Sequence, residues 1–339
     1  MQNLKDRVTI YQVAQAAGVS LATVSRVINK STSVTPATRK KVEDTIEALG
    51  YKPSGLAQAL ATSRTTSIGV IIPSANYVYI ANLLAGITEV VKEKDYSLSL
   101  FTTSHTREEA LATIERVITA HVDGTIIFDD QLSQEDVEKI VSYNVPSVVI
   151  DNKIHGERVC DIHFSYDNSL RELIQRYYER GRVNPMAFLH VHNAGRLINR
   201  CEKTFIRTHE ELGKDYRIIN CDDSYTHTYR QFLDYFKEPD NHKGYYICYR
   251  DSIAAAVMNA AMDSGIAVPE QVEVLSLVGT KYAHIVRPCL SGFHIDMQEV
   301  GKRAMYMLTD LLNGDLVDKT ARFEAQLALG DTTKKVENN

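Results

Sequence analysis

The sequence predicts an all-α helix-turn-helix head followed by a larger α/β body built as two lobes. Between Val8 and Gly50, short amphipathic segments stand between residues that favour helix starts and stops. From Ser67 onward, short apolar runs alternate with longer helical stretches, the signature of parallel sheets with crossover helices. Charge divides at the same place. Residues 1–65 carry nine Lys/Arg against four acids, a net +5, and the remainder carries −10, giving −5 overall. A basic head on an acidic body concentrates attraction for phosphate at one end.

The head reads element by element. Thr9 and Gln12 fit a capping box, and Ile10, Val13, Ala14 and Ala17 follow at helical spacing before Gly18 permits a sharp turn. Ser20 caps a second helix running to about Ile28, with Val24 and Val27 turned inward. Leu21, Ala22, Thr23, Ser25 and Arg26 are left on the outer face. Small residues at a helix N-terminus, with one Arg able to fork onto guanine, suit a DNA major groove. Thr35-Pro36 opens a third helix with Val42, Ile46 and Leu49 as its inner stripe and Gly50 at its end. Pro53 stops that element. The segment Ser54–Ala61 carries Leu56 and Leu60 at i,i+4. It is shorter than the ~12 residues at which isolated helices become stable, so it is expected to order against DNA and a partner subunit.

The strings TVSRVIN (23–29), TRKKV (38–42) and YKPSGLAQAL (51–60) together resemble the LacI/GalR family of bacterial transcription repressors, and the resemblance covers nearly the whole chain. LATVSRV (21–27) is similar to the catabolite-control branch. The resemblance implies a homodimeric repressor, probing a pseudo-palindromic double-stranded DNA operator and governing carbohydrate-utilisation genes. DNA contacts are expected from Thr9, Tyr11, Ser20, Leu21, Ala22, Thr23, Ser25, Arg26 and Asn29, and from Ala57 and Leu60 of the hinge. Leu60 of each protomer would wedge into the central minor-groove step and kink the duplex. The implied body is periplasmic-binding-protein-like. Its expected divisions are a helix-turn-helix domain at 1–53, a hinge and linker at 54–66, an N-lobe at 67–165 with 295–325, and a C-lobe at 166–294 with 326–334.

In such a body, ligands sit beyond the carboxyl ends of the strands. Strand-like runs include 68–73, 97–101, 124–128, 147–150, 186–191, 217–220, 245–249 and 273–278. Their ends place Ser74, Tyr77, Asp129, Asp130, Asp151 and Asn152 on one cleft edge. Opposite them stand His190, His192, Asp222, Asp223, Arg250, Asp251 and Thr280. A small-molecule effector, a sugar or sugar phosphate, is expected between them. Asp151, His192, Arg200, Arg250 and Asp251 are its candidate contacts, although Asp251 would cap the SIAAAV helix in any case. Asp151 stands where sugar-responsive members carry a ligand-contacting Asp. Other family positions are altered: Arg250 replaces an Asn, Cys201 stands where an Arg is usual, and Leu277-Val278-Gly279 lacks the expected Asp. Arg200 could substitute for the lost Arg. Arg250 could grip an anion, or else pair with Asp222, Asp223 or Asp251. Catabolite regulators bind a serine-phosphorylated carrier protein through a helix matching Met297–Leu312, but Tyr306 and Asp310 occupy basic positions there, leaving Lys302 and Arg303.

Other classes fare worse. No apolar run approaches the ~18 residues of a membrane span, and MQNLKDRVTIYQ lacks an apolar leader core. The five cysteines lack a CxxC spacing, so free thiols in a reducing cytoplasm are expected, with the protein at the bacterial nucleoid. His190 and His192 share a strand face but no third ligand at a diagnostic spacing, so neither metal nor cofactor is expected. No P-loop, GxSxG, HExxH or dinucleotide fingerprint points to an enzyme. A sugar-binding protein with an accessory head is the competing class. Thr332–Asn339 reads as a frayed tail.

Overall fold

The computed structural model describes residues 8–29, 31–52, 64–104, 106–192, 195–315 and 318–334. Ala57, Leu60 and the rest of the hinge lie outside the described residues. The chain divides into two units, Met1–Thr66 and Ser67–Asn339.

The first unit is helical. Helices α1 (Ile10–Ala17), α2 (Leu21–Ile28) and α3 (Pro36–Leu49) each start on a capped end. The Thr9 amide donates to Gln12 Oε1 at 2.8 Å and the Gln12 amide to Thr9 Oγ1 at 3.4 Å, completing the box. Gly18 takes a φ of 60°, which lets α2 turn away sharply. Val13, Ala17, Val24, Val27 and Val42 are buried together with Tyr51, so one small core fixes the angle between α1 and α2.

Among the described residues of the second unit, twelve strands form two six-stranded sheets. The first is ordered β11-β5-β4-β3-β1-β2: Thr320–Glu324, Val159–Ser165, Ser147–Ile150, Gly124–Ile127, Ser67–Ile72 and Ser97–Thr102. The second is ordered β12-β10-β9-β8-β6-β7: Gln326–Ala328, Ser291–His294, Val272–Val278, Gly244–Arg250, Met186–Val191 and Tyr216–Cys221. All pairings are parallel except β10 with β12. The chain leaves the first sheet after Ser165, returns for β11, and leaves it again at Ala325.

Helices cover the sheets: α4 (Val78–Glu93), α5 (Arg107–Thr119), α6 (Gln134–Ser142), α7 (Asp167–Glu179), α8 (Arg196–Leu212), α9 (Tyr225–Tyr235), α10 (Asp251–Asp263), α11 (Tyr282–Ile285) and α12 (Met297–Asn313). The return helix α12 lies tightly on α4. A Cβ on Gly86 would stand 1.9 Å from the Gln298 carbonyl oxygen, and one on Gly301 would stand 2.2 Å from that of Leu83. Two glycines therefore set the closeness of the helix pair that carries the returning chain into the first lobe.

The tail expectation is corrected at its start. Thr332 and Thr333 are buried; the Ser291 amide donates to Thr332 Oγ1 at 2.9 Å, and that hydroxyl donates to the Val274 carbonyl at 2.7 Å. The polar composition of the tail suggested solvent, but these hydroxyls satisfy backbone at the edge of the second sheet.

Candidate functional site

On the first unit, α2 buries Val24 and Val27 and turns the opposite face outward. Leu21, Ala22, Arg26 and Asn29 are exposed, as are Ser20, Thr9 and Tyr11, whereas Thr23 and Ser25 are half-buried. The Thr23 amide donates to Ser20 Oγ at 3.1 Å, so the cap residue and the start of the helix form one rigid edge. Among the described residues, no ion-pair partner meets Arg26. Its guanidinium is available to a base edge or phosphate.

In the second unit, the carboxyl ends of both sheets face a cavity of about 640 Å³. Its floor is buried and aromatic: Phe164, Tyr166 and Phe293, with Ile198, Ile295 and Met297 beside them. Tyr79 and Phe128 continue the wall as an edge-to-face pair at 6.1 Å. The mouth carries the exposed polar residues His192, Arg196, Asn199 and Asp223.

Charged groups bridge the lobes. Arg200 donates to Asp151 Oδ1 at 2.6 Å, and Asp151 also accepts the Phe164 amide at 3.3 Å. Burial pushes the Asp151 carboxyl up to about 6, against the lowering pull of Arg200. The Arg196 amide, the first of α8, donates to Asp130 Oδ2 at 2.9 Å, and the Arg196 side chain donates to Asn152. Gly195, with a φ of 92°, leads into that contact; a Cβ there would lie 2.6 Å from Asp130 Oδ2. Asp129 accepts the Thr103 hydroxyl and the Gln131 amide.

Of the five candidate effector contacts, Asp151 and His192 line the cavity and the other three stand behind its lining. Arg200 reaches it through Asp151. Asp251 is buried at the start of α10 and accepts from the Thr280 amide and hydroxyl at 2.7 and 2.6 Å, fixing the loop after β9. Arg250 bonds Asp223 Oδ1 at 2.7 Å and stacks over Tyr77 and Tyr249. Of the two alternatives that the sequence leaves for Arg250, the geometry shows the ion pair, with Asp223 as its counter-ion. His190 bonds Glu202 at 2.7 Å, and no cluster of three metal-ligating residues occurs among the described residues.

Sequence reasoning missed Tyr79, Phe128, Phe164, Tyr166, Arg196 and Phe293. Arg196 opens a long helix just after β6, a position a strand-end rule could have flagged. The aromatics read simply as core, and no local signal separates a cavity wall from a core.

A model of the bacterial regulatory proteins, lacI family, matches residues 9–54, and one of the periplasmic binding protein-like domain matches residues 174–333. Catabolite control protein A of Priestia megaterium is 31% identical over 321 residues, 92% of this chain and 95% of the relative. The chain belongs to the lacI family. It is a DNA-binding transcriptional regulator of that family. The Staphylococcus aureus (strain Mu50) catabolite control protein A is 28% identical over 316 residues, covering 92% and 94% of the two chains.

Solved structures give the same fold for this lacI-family chain. The lac repressor dimer bound to operator and the anti-inducer ONPF superposes with a TM-score of 0.84 at 23% identity, covering 97% of this chain and 99% of that one. Transcription regulator CcpA of Lactococcus lactis gives 0.67 at 18% identity, covering 80% and 100%. No helix among the described residues is long and apolar enough to cross a membrane.

Proposed function

We propose that this lacI-family regulator is a dimeric repressor of carbohydrate-utilisation genes. Each α2 enters the major groove of one half-site of a pseudo-palindrome, with Thr9, Tyr11, Ser20, Leu21, Ala22, Thr23, Ser25, Arg26 and Asn29 as its contact set. Ala57 and Leu60 complete it from the hinge. The observation that carries the reading is the exposed, capped α2 face, on which Arg26 meets no ion-pair partner among the described residues. The lac repressor dimer bound to operator supports the dimer and the operator by likeness of fold.

The cleft is the effector site in this reading. A ligand there shifts the angle between lobes and so the geometry of the hinge, with the chain divided at 1–53, 54–66, 67–165 with 295–325, and 166–294 with 326–334. Operator and effector must then alter each other's affinity by the same factor. Asp151 and His192 contact the ligand, while Arg200, Arg250 and Asp251 position what does. The reading has no catalytic step and places the protein with DNA in the bacterial cytoplasm.

Selecting bound fragments from genomic DNA tests the proposal. The expected result is an enriched pseudo-palindrome beside sugar-uptake or sugar-breakdown genes. Absence of any enriched sequence would overturn it.

A second reading follows from the 31% identity to catabolite control protein A, a serine-phosphorylated carrier protein being the expected partner of α12. Lys302 is bound to Glu89 at 2.8 Å and the Tyr306 hydroxyl to Glu93 at 2.8 Å, so acids compete for this surface. Adding the phosphorylated carrier to an operator-binding assay separates the two readings.

A further inference from the structure

The string TRKKV (38–42) places Arg39, Lys40 and Lys41 on the first two turns of α3, and none of the three meets an ion-pair partner among the described residues. Glu43 stands at i+4 from Arg39, the ordinary place for a helical ion pair, yet no such pair forms. Arg39 Nη2 instead donates to the Ser31 carbonyl at 2.5 Å, in the turn that leaves α2. Lys41 stands over the turn that enters α2: a Cβ on Gly18 would lie 3.7 Å from Lys41 Nζ. Positive charge thus sits where the C-terminal carbonyls of α1 and α2 gather, as a helix dipole favours.

Ser31 is the node that the Arg39 bond secures. Its amide donates to the Arg26 carbonyl at 2.9 Å, and its hydroxyl shares a hydrogen bond with that of Ser33 at 2.9 Å. The Asn29 amide donates to the Ser25 carbonyl at 3.0 Å. The backbone of Arg26 is therefore tied through Ser31 to the guanidinium of Arg39. Little else fixes this end of the helix. α2 has 8 residues, of which Val24 and Val27 are buried, and it is shorter than the ~12 at which a helix holds itself in water. Side chains that read a partner must be held to within about 0.5 Å, and a charged donor makes the stronger class of hydrogen bond.

We propose that Arg39 is a positioning residue for operator readout: through Ser31 it fixes the C-terminal end of α2, and with it the reach of Arg26 and Asn29 to base edges. This rests on the reading in which α2 enters the major groove. The Arg39 cation is turned inward onto a carbonyl, so it serves sequence preference, whereas contacts to phosphate carry no sequence information.

Binding of the full chain to a selected pseudo-palindrome and to random DNA, over a salt series, tests this in Arg39→Met and Arg39→Lys. Methionine keeps the stem and removes the donors. The ratio of the two affinities should then fall ~10-fold, the scale of one lost hydrogen bond from a charged donor, with an unchanged salt slope. Arg39→Lys keeps a charged donor and should retain most of the ratio. Amide exchange of the DNA-free proteins reads the same contact directly: in Arg39→Met, Asn29 and Ser31 should exchange faster while Val13 and Val42 stay protected. Three results would overturn the inference. Equal loss on both duplexes, with the salt slope lowered by about 0.9, would make Arg39 a phosphate contact. An unchanged ratio in Arg39→Met would leave it without a part in readout. Lost protection at Val13 and Val42 would make it a support of the whole head. Because the exchange measurement needs no DNA, a wild type without operator preference would fail the groove reading and still leave this contact tested.

Discussion

Arg200 of the second lobe donates to Asp151 of the first at 2.6 Å, across the cleft that separates the two sheets. Asp151 is 5% exposed and follows β4 with a φ of 55°, so the backbone itself turns this carboxylate toward the other lobe. The contact joins the lobes through the chain's own groups. A ligand that moves the lobes has to work against this ion pair and against Arg196 on Asp130 and Asn152.

The burial of Asp151 predicts a pH dependence. The Asp151 carboxyl rises from 3.8 to about 6 chiefly through burial. A folded value above the unfolded one means that the folded chain holds the proton more tightly. Its stabilising contribution is therefore full below about pH 4 and lost as pH rises through about 6. Wild type should lose on the order of 3 kcal/mol relative to Asp151→Asn over that window, with no further change above about pH 7. Denaturant titrations of both proteins at a series of pH values measure this. A wild type that gains stability relative to Asp151→Asn as pH rises would contradict it.

Arg250→Gln should leave the ranking of phosphorylated and unphosphorylated sugars unchanged, because Asp223 already neutralises the guanidinium. It should lower stability, since Arg250 also stacks on Tyr77 and Tyr249. Loss of a preference for phosphates in this variant, measured by calorimetry, would restore the anion-binding role.

Gly301→Ala should destabilise the first lobe by ~1–3 kcal/mol, the usual range for forcing bulk into a packed core. The added methyl would meet the Leu83 carbonyl oxygen at 2.2 Å and push α12 off α4. Thermal unfolding checks this, and an unchanged midpoint would show that the pair can separate freely.

The head was legible because its signals are local. Thr9 with Gln12, Ser20, Thr35-Pro36 and Gly50 each act within four residues, and each occupies the cap that its chemistry favours. The α/β alternation was equally readable, but β5, β10, β11 and β12 escaped: the first follows an irregular loop, and the others, SGFH, TARFE and QLA, lack a continuous apolar run. The site was legible only as a set of strand ends. Which carboxylate meets Arg250 depends on the loop after β7 approaching β8, and neither that nor the depth of Tyr166 leaves a local mark in sequence.

Direct readout has its own test. Arg26→Ala should cost ~1–3 kcal/mol and relax preference at one symmetric base pair. A reduced salt slope with unchanged preference would make Arg26 a phosphate contact instead.

Two-fold operator recognition is measured by comparing the full chain on a selected pseudo-palindrome, on the same duplex with one half-site scrambled, and on random DNA, at fixed salt. Two protomers should occupy the intact site, bound at least ~10³-fold more tightly than random DNA, with a steep loss when one half-site is scrambled. Equal affinity for all three duplexes would contradict it.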